Sequence, residues 1–304
     1  FLLANRLTGS LEHRRTDFTM PNPYDILHIY YLQGKIPPEA TRDLSDFYGN
    51  WEEEDTAFLF FARPSLEVVQ SLVERAGTVE LLDHYEMRYD EWQGDKVVSR
   101  RIGRFLITPP WETGPLAEEG VPHQPMGLAE GDSLQRLVLD PGVVFGSGTH
   151  PTTRDCLAAI ELALVDGRMQ TAVDLGTGTG LLALALAALG CRKVLAVDRN
   201  LLAVQTAHRN VAANRMEGQV LVTQGDADKF IDARADLVVS NIHYDVMRRL
   251  LVADGFRAKK RFVLSGLLRS EARAVRQDLQ RIGVKILETW EYDGIWTTFY
   301  GAGR

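Results

Sequence analysis

Apolar and polar positions alternate in two different ways along the chain, and the change falls near residue 112. Before it, the apolar runs are short, aromatic and bounded by turn residues. Tyr24 to Leu32 (YDILHIYYL) has strand character, and Pro37 and Pro38 open a helical stretch through Phe47. Ala57 to Ala62 (AFLFFA) is a fully apolar strand stopped at Pro64. Ser65 then stands at the start of a helix, SLEVVQSLVERAG, that Gly77 closes. Val79 to Trp92 and Val97 to Ile107 follow as two strands. Strand–helix–strand–helix–strand–strand predicts a small α+β sandwich of ferredoxin-like kind over residues 21–111, behind a loose arm at 1–20. Residues 112–132, rich in Pro, Gly and acids, read as a linker.

From 133 to 304 the rhythm changes to short apolar runs separated by helix-length segments. LQRLVL (134–139) is a strand that leads into DPGVVFGSGTHPTT (140–153), too rich in Gly, Pro, Ser and Thr for regular structure; a helix begins around Thr153. Further strands end at Leu175, Val197, Gln224, Val239, Ser265, Trp290 and Tyr300, with helices Leu201–Arg215, Val246–Val252 and Ser270–Ile282 between them. Seven strands alternating with helices predict a doubly wound, mostly parallel α/β sheet. Its ligand chemistry belongs at the strands' carboxyl ends.

One stretch organises this half. Thr171 to Asn200, TAVDLGTGTGLLALALAALGCRKVLAVDRN, is a strand, a glycine turn, an apolar helix, a second strand and an acid. Gly176, Gly178 and Gly180 let backbone approach a ligand, with Asp174 just before them. Asp198, at the end of the second strand, can accept both hydroxyls of a ribose. A dinucleotide fold wants G-x-G-x-x-G, and the position of the third glycine is Leu181 here. No pyrophosphate cradle is implied, which disfavours a nicotinamide oxidoreductase.

Composition narrows the classes further. At 304 residues, 45% hydrophobic and 25% charged, the chain is an ordinary globular one with room for two domains. No apolar run reaches transmembrane length, so no membrane partner is expected. Cys156 and Cys191 both sit in apolar helical surroundings and read as buried thiols; no metal site is expected, and a reducing cytoplasm fits. The net charge of -7 is unevenly placed. Residues 37–95 carry 15 Asp/Glu against four Lys/Arg, whereas 247–285 carry 11 Lys/Arg against three Asp/Glu. No uniform basic footprint for nucleic acid exists, and the acidic half suits a basic partner. On that reading the small domain is a recognition element and the catalytic domain is complete without it; a solvated acidic surface is the other reading of any single cluster such as WEEED (51–55).

Three segments together carry a resemblance. DPGVVFGSGTHPTT (140–153), DLGTGTG with its following AVD (174–198) and VVSNI (238–242) resemble, in order and spacing, the PrmA family, supported by GRFLITPPWE (103–112). Those enzymes are S-adenosylmethionine (SAM)-dependent lysine methyltransferases of large-subunit ribosomal protein eleven. The resemblance implies SAM as cofactor, with contacts from Thr153, Gly176, Asp198 and Asn241. It also implies a ferredoxin-like domain that binds the substrate protein. Thr153, at a helix start, suits a carboxylate; Asp226, after the next strand, stands where an adenine amine could be met or where a turn simply begins. NIHY (241–244) has the spacing of the N-P-P-Y motif of amino-group methyltransferases, which makes Asn241 and Tyr244 the candidates for amine positioning. The two prolines are replaced by Ile242 and His243, and the substrate stays open: lysine or N-terminal amines of a basic, ribosomal protein, or a nucleic-acid base or small amine. A SAM-binding regulatory module without turnover is the reading from another class. His150 orders the signature loop on this reading, and His243 is a surface or capping residue as readily as a proton acceptor.

Overall fold

The computed structural model describes residues 22–112, 133–165 and 168–303. The expected arm at 1–20 and nearly all of the expected linker lie outside the described residues.

Strands β1 (Ile26–Gln33), β2 (Phe47–Glu53) and β3 (Thr56–Phe61), helix α1 (Leu66–Ala76) and β4 (Glu80–Arg88) make a small antiparallel sheet in the order β2-β3-β1-β4. That order is the split arrangement expected of a ferredoxin-like unit, with one helix reduced. The helix expected from Pro37 through Phe47 is only a 3-10 turn at Pro38–Thr41, and Phe47 already begins a strand. Sequence pattern hides β2 because FYGNWEE is half polar and carries Gly49 at a register break. Gly49 has φ +142°, and a side chain there would run into Leu202 of the neighbouring unit. Ser65 starts α1, but its hydroxyl bonds to Arg63 O rather than capping the helix.

The strand expected to run to Trp92 stops at Arg88. Tyr89 to Gln93 coil into a short helix α2, started by the reach of the Glu91 carboxylate to the Arg88 amide. The strand expected over 97–107 is instead a hairpin, β5 (Arg100–Ile102) and β6 (Phe105–Thr108), turned at Gly103 with φ +55°. From across the linker, β7 (Gln135–Val138) pairs in parallel with β6. This three-stranded sheet packs Phe105, Ile107 and Leu137 into the core of the large unit, not of the small one.

The large unit then runs α3 (Pro151–Leu164), β8 (Thr171–Leu175), α4 (Leu181–Ala188), β9 (Lys193–Asp198), α5 (Leu201–Ala213), β10 (Val220–Gln224), α6 (Ala227–Phe230), β11 (Leu237–Asn241), α7 (Tyr244–Val252), α8 (Asp254–Arg257), β12 (Arg261–Leu268), α9 (Arg269–Ile282), β13 (Lys285–Tyr292) and β14 (Trp296–Ala302). The seven strands lie in the order β10-β9-β8-β11-β12-β14-β13, all parallel except β14. Helices α3, α4 and α5 cover one face and α7, α8 and α9 the other, each over its own apolar core. Near-continuous apolar strands such as Leu237–Val239 are what burial on both faces requires. The chain order reverses between β8 and β11, which opens a crevice above their carboxyl ends.

A further core ties the two units together. Leu27, Ile29, Phe60 and Tyr89 from the small sheet and α2 bury against Val143, Val144, Leu202 and Ala203. Cys156 and Cys191 are buried free thiols, and burial pushes both upward in pKa. Among the described residues, no helix is long and apolar enough to cross a membrane.

Candidate active site

Strand β8 ends in the glycine turn at the crevice. Gly176, Gly178 and Gly180 all hold positive φ, at 78°, 55° and 85°. At Gly178 the need is steric as well: a Cβ would stand 2.7 Å from Phe145 O. The turn therefore touches the 140–150 loop backbone to backbone. Thr177 Oγ1 donates to Asp174 Oδ2 at 2.6 Å beneath it. Asp174 is fully buried, and burial, helped by the nearby Asp198 charge, pushes its carboxyl up to about 7. Leu181 is the first residue of α4 and is buried, so that helix has no opening for a pyrophosphate at its start.

Asp198 closes β9 beside the turn. Its Oδ2 accepts from the Gly178 amide at 3.0 Å and its Oδ1 from the Asn200 amide at 2.9 Å. These bonds aim the carboxylate; burial raises its pKa while the two amides work against that rise. Asn200 caps α5 through its Oδ1 and the Leu202 amide at 3.0 Å, and its Nδ2 reaches Glu52 O on β2 at 3.4 Å.

The other wall is the 140–153 loop, held from two sides. On α5, Asn210 accepts from the Asp140 amide and donates to the carbonyls of Asp140 and Thr179, each at 2.9 Å. One turn later Asn214 holds both the amide and the carbonyl of Val138, at 2.9 and 2.7 Å. From α2, Tyr89 Oη and Gln93 Nε2 donate to Gly142 O at 2.8 and 2.9 Å, and Trp92 Nε1 to Val143 O at 3.0 Å. None of these residues stood out in the sequence. The available signal was Asn210 on the buried face of a helix, with Asn214 four residues on at its end.

The loop ends at α3, whose first turn faces Asn241. His150 precedes the helix, and its Nδ1 lies 2.7 Å from Thr152 Oγ1. Asn241 Nδ2 donates to the same Thr152 Oγ1 at 3.1 Å. The His150 ring is clasped edge-on by Phe145 and Trp296, with centroids 5.5 and 5.0 Å away. Thr153 is 2% exposed, and its hydroxyl has no hydrogen-bond partner among the described residues. A buried, unsatisfied hydroxyl in the first turn of a long helix fits a bound carboxylate.

Asn241, Thr153, Asp174, the three glycines and Asp198 thus lie on elements that converge above β8, β9 and β11. Gly176 and Ile242 meet so closely that no side chain could replace that glycine's hydrogen. Tyr244 stands apart from this convergence. It opens α7, packs partly against the core of the opposite face, and carries the Arg248 guanidinium 5.6 Å over its ring. Asp226 starts α6 and is paired with Lys229 at 2.9 Å, which holds its carboxyl below the usual range. His243 is exposed at the start of α7 without a capping bond. Among the described residues, no group of three or more His, Cys, Asp or Glu could hold a metal ion.

The strand order, the glycine turn at the end of β8 and the acid at the end of β9 define a Rossmann-like methyltransferase fold. Within that class the chain belongs to the PrmA family, described as ribosomal protein L11 methyltransferase, which it matches over residues 89–302. A relative of that name from Anoxybacillus flavithermus is 36% identical over 199 residues, covering 64% of this chain and 58% of that protein. One from Exiguobacterium sibiricum is 37% identical over 220 residues, covering 70% and 64%. The chain so spans less than two thirds of either relative. The crystal structure of a ribosomal protein L11 methylase from Lactobacillus delbrueckii subsp. bulgaricus shares the fold, with a TM-score of 0.53 at 24% identity over 68% of this chain and 99% of that one.

Proposed function

We propose that this protein transfers a methyl group from SAM to lysine or N-terminal amino groups of a basic protein, large-subunit ribosomal protein L11. The observation that carries this reading is the meeting of the end of β11 with its two neighbours, Asn241 with the first turn of α3 and Ile242 with the glycine turn, in a chain of the PrmA family. When bound, SAM supplies an activated methyl on a sulfonium. Asp198 would hold its ribose, Thr153 its carboxylate, and Gly176–Gly180 the backbone between them. Asn241 and Tyr244 remain the candidates for holding the target amine, with Asn241 the better placed. The amine must be neutral to attack, and a site sheltered from water disfavours its ammonium form. Alignment then supplies most of the acceleration.

The small sheet supports a protein substrate. Its β2–β3 hairpin carries Glu52, Glu53, Glu54 and Asp55, and β4 presents Glu80, Asp83 and Glu86 to solvent. Exposed charge of this kind draws a basic partner and is screened over roughly 8–10 Å at physiological ionic strength, so KM for L11 should rise with salt.

The test is Asn241→Ala, followed by single-turnover transfer of labelled methyl to purified L11 and by titration with SAM. The expected result is a kcat lower by about tenfold or more with a smaller change in SAM affinity. Normal turnover at saturating SAM, or label entering ribosomal RNA instead of protein, would defeat the reading.

A further inference from the structure

The hydrogen bonds around Thr152 determine which end of the Asn241 amide faces the crevice. His150 Nδ1 receives the Thr152 backbone N–H at 3.3 Å, so this ring nitrogen is an acceptor and the proton of a neutral ring sits on Nε2. Burial lowers the His150 pKa and favours that neutral ring. Thr152 Oγ1 lies 2.7 Å from the same nitrogen, so the hydroxyl spends its one proton there. The hydroxyl can then only accept from Asn241, and only the NH2 end of an amide can give. The carbonyl end is left to face the other way. It stands over Gly266, where a Cβ would lie 2.9 Å from Asn241 Oδ1. Gly266 has φ +81° at the register break of β12, and its lack of a side chain leaves room for that oxygen and for the Ile242 backbone beside it.

We infer that His150 and Thr152 are positioning residues: through one chain of hydrogen bonds they fix the Asn241 amide with its oxygen, an acceptor, presented to the N–H of the incoming amine. A reversed amide would present NH2, a donor, to an amine whose lone pair must stay free for the methyl. Thr152 is 1% exposed, and both of its side-chain bonds run to these two residues, so the chain is sheltered from competing water. Phe145 and Trp296 hold the imidazole plane in the orientation the chain needs. The inference rests on the methyl-transfer reading above and gives the HPTT segment a second role. On this inference the buried, unpartnered Thr153 hydroxyl serves the cofactor and Thr152 the amine.

The experiment uses the full chain, purified L11 and labelled SAM, with S-adenosylhomocysteine titrated by calorimetry. Thr152→Val keeps shape but removes the hydroxyl; Thr152→Ser keeps the hydroxyl. His150→Asn retains an acceptor near the Nδ1 position, and His150→Leu removes it. The expected result is a fall in kcat of about tenfold or more for Thr152→Val and His150→Leu, with the two conservative variants within about threefold of wild type. Cofactor affinity and melting temperature should stay near wild type throughout. The 15N spectrum of histidine-labelled protein, without cofactor, should show His150 protonated on Nε2. Wild-type turnover by Thr152→Val, an equal loss in Thr152→Ser, or an Nδ1–H ring would overturn the inference. A drop in cofactor affinity matching the drop in kcat would make Thr152 a cofactor contact and overturn it too. If the wild type transfers no methyl to L11, the functional reading fails instead, and the ring proton alone decides whether the hydrogen-bond chain exists.

Discussion

The two walls of the crevice are built in opposite ways. The glycine-turn wall is local: β8, the turn, α4 and β9 form one run of the chain, and Asp198 is oriented by the Gly178 and Asn200 amides. The 140–153 wall is assembled. Its backbone hangs from Asn210 on α5 and from Tyr89, Trp92 and Gln93 on α2, with Asn214 just past α5 holding Val138 ahead of it, and its apolar side is covered by the small sheet. A local wall can form wherever its own segment folds. An assembled wall draws also on α2 and the small sheet, which lie on the other side of the boundary the sequence suggests.

The most severe way to break that comparison is to remove residues 1–132. A chain beginning at Ser133 loses β6, the strand that pairs with β7, and uncovers Val143, Val144 and Leu202. Each large side chain returned to water costs about 1.5–3 kcal/mol. The truncated chain should lose its cooperative melt and its binding of S-adenosylhomocysteine. Affinity within about threefold of the full chain, less than 1.4 kcal/mol, would show the assembled wall to be self-sufficient.

The local wall is probed more gently at Asp198. Asp198→Ala should weaken SAM binding by about 1–3 kcal/mol, the scale of lost charge-assisted hydrogen bonds. Calorimetry showing unchanged affinity, or tighter binding of NAD than of SAM, would remove Asp198 from the ribose.

Asp174, beneath the same turn, is read out differently, as a change of slope with pH. Its folded pKa of about 7 lies above the unfolded value of about 3.9, so between those values the folded state binds more protons than the unfolded one. Its contribution to stability therefore falls as pH rises from about 4 to about 7. Asp174→Asn should flatten that part of the stability–pH curve, measured by denaturant titration at several pH values. An unchanged slope would mean that Asp174 keeps its ordinary pKa.

The same contrast explains what could be read from sequence. The glycine turn, Asp198 and the strand alternation lie within short windows, and their chemistry needs only neighbours in the chain. Asn241 was reachable because its motif names it. Strand β2 was not, because Gly49 and its acids read as loop, and the reason for Gly49 is Leu202, far away in sequence. The sequence pointed to Thr153 in HPTT but passed over Thr152, since only the fold brings Asn241 against it. Tyr244 was selected by spacing alone, and the fold sets it partly against the opposite core under Arg248. The pairing of Asp226 with Lys229, three residues on, is a contact that the sequence does not announce.

The placement of β14 bears on the order of folding. It follows β13 in the chain yet lies between β12 and β13, and it is the strand through which β13 joins the sheet. During synthesis β13 emerges first and has no edge to dock on until β14 has been made and inserted. Pairing that must wait for a later segment leaves an apolar sheet edge open in the interval, a setting that favours chaperone contact or misassociation. Pulse-labelling by hydrogen exchange during refolding should therefore find the β13 amides protected no earlier than those of β14. Earlier protection of β13 would mean that it first pairs elsewhere and is later displaced.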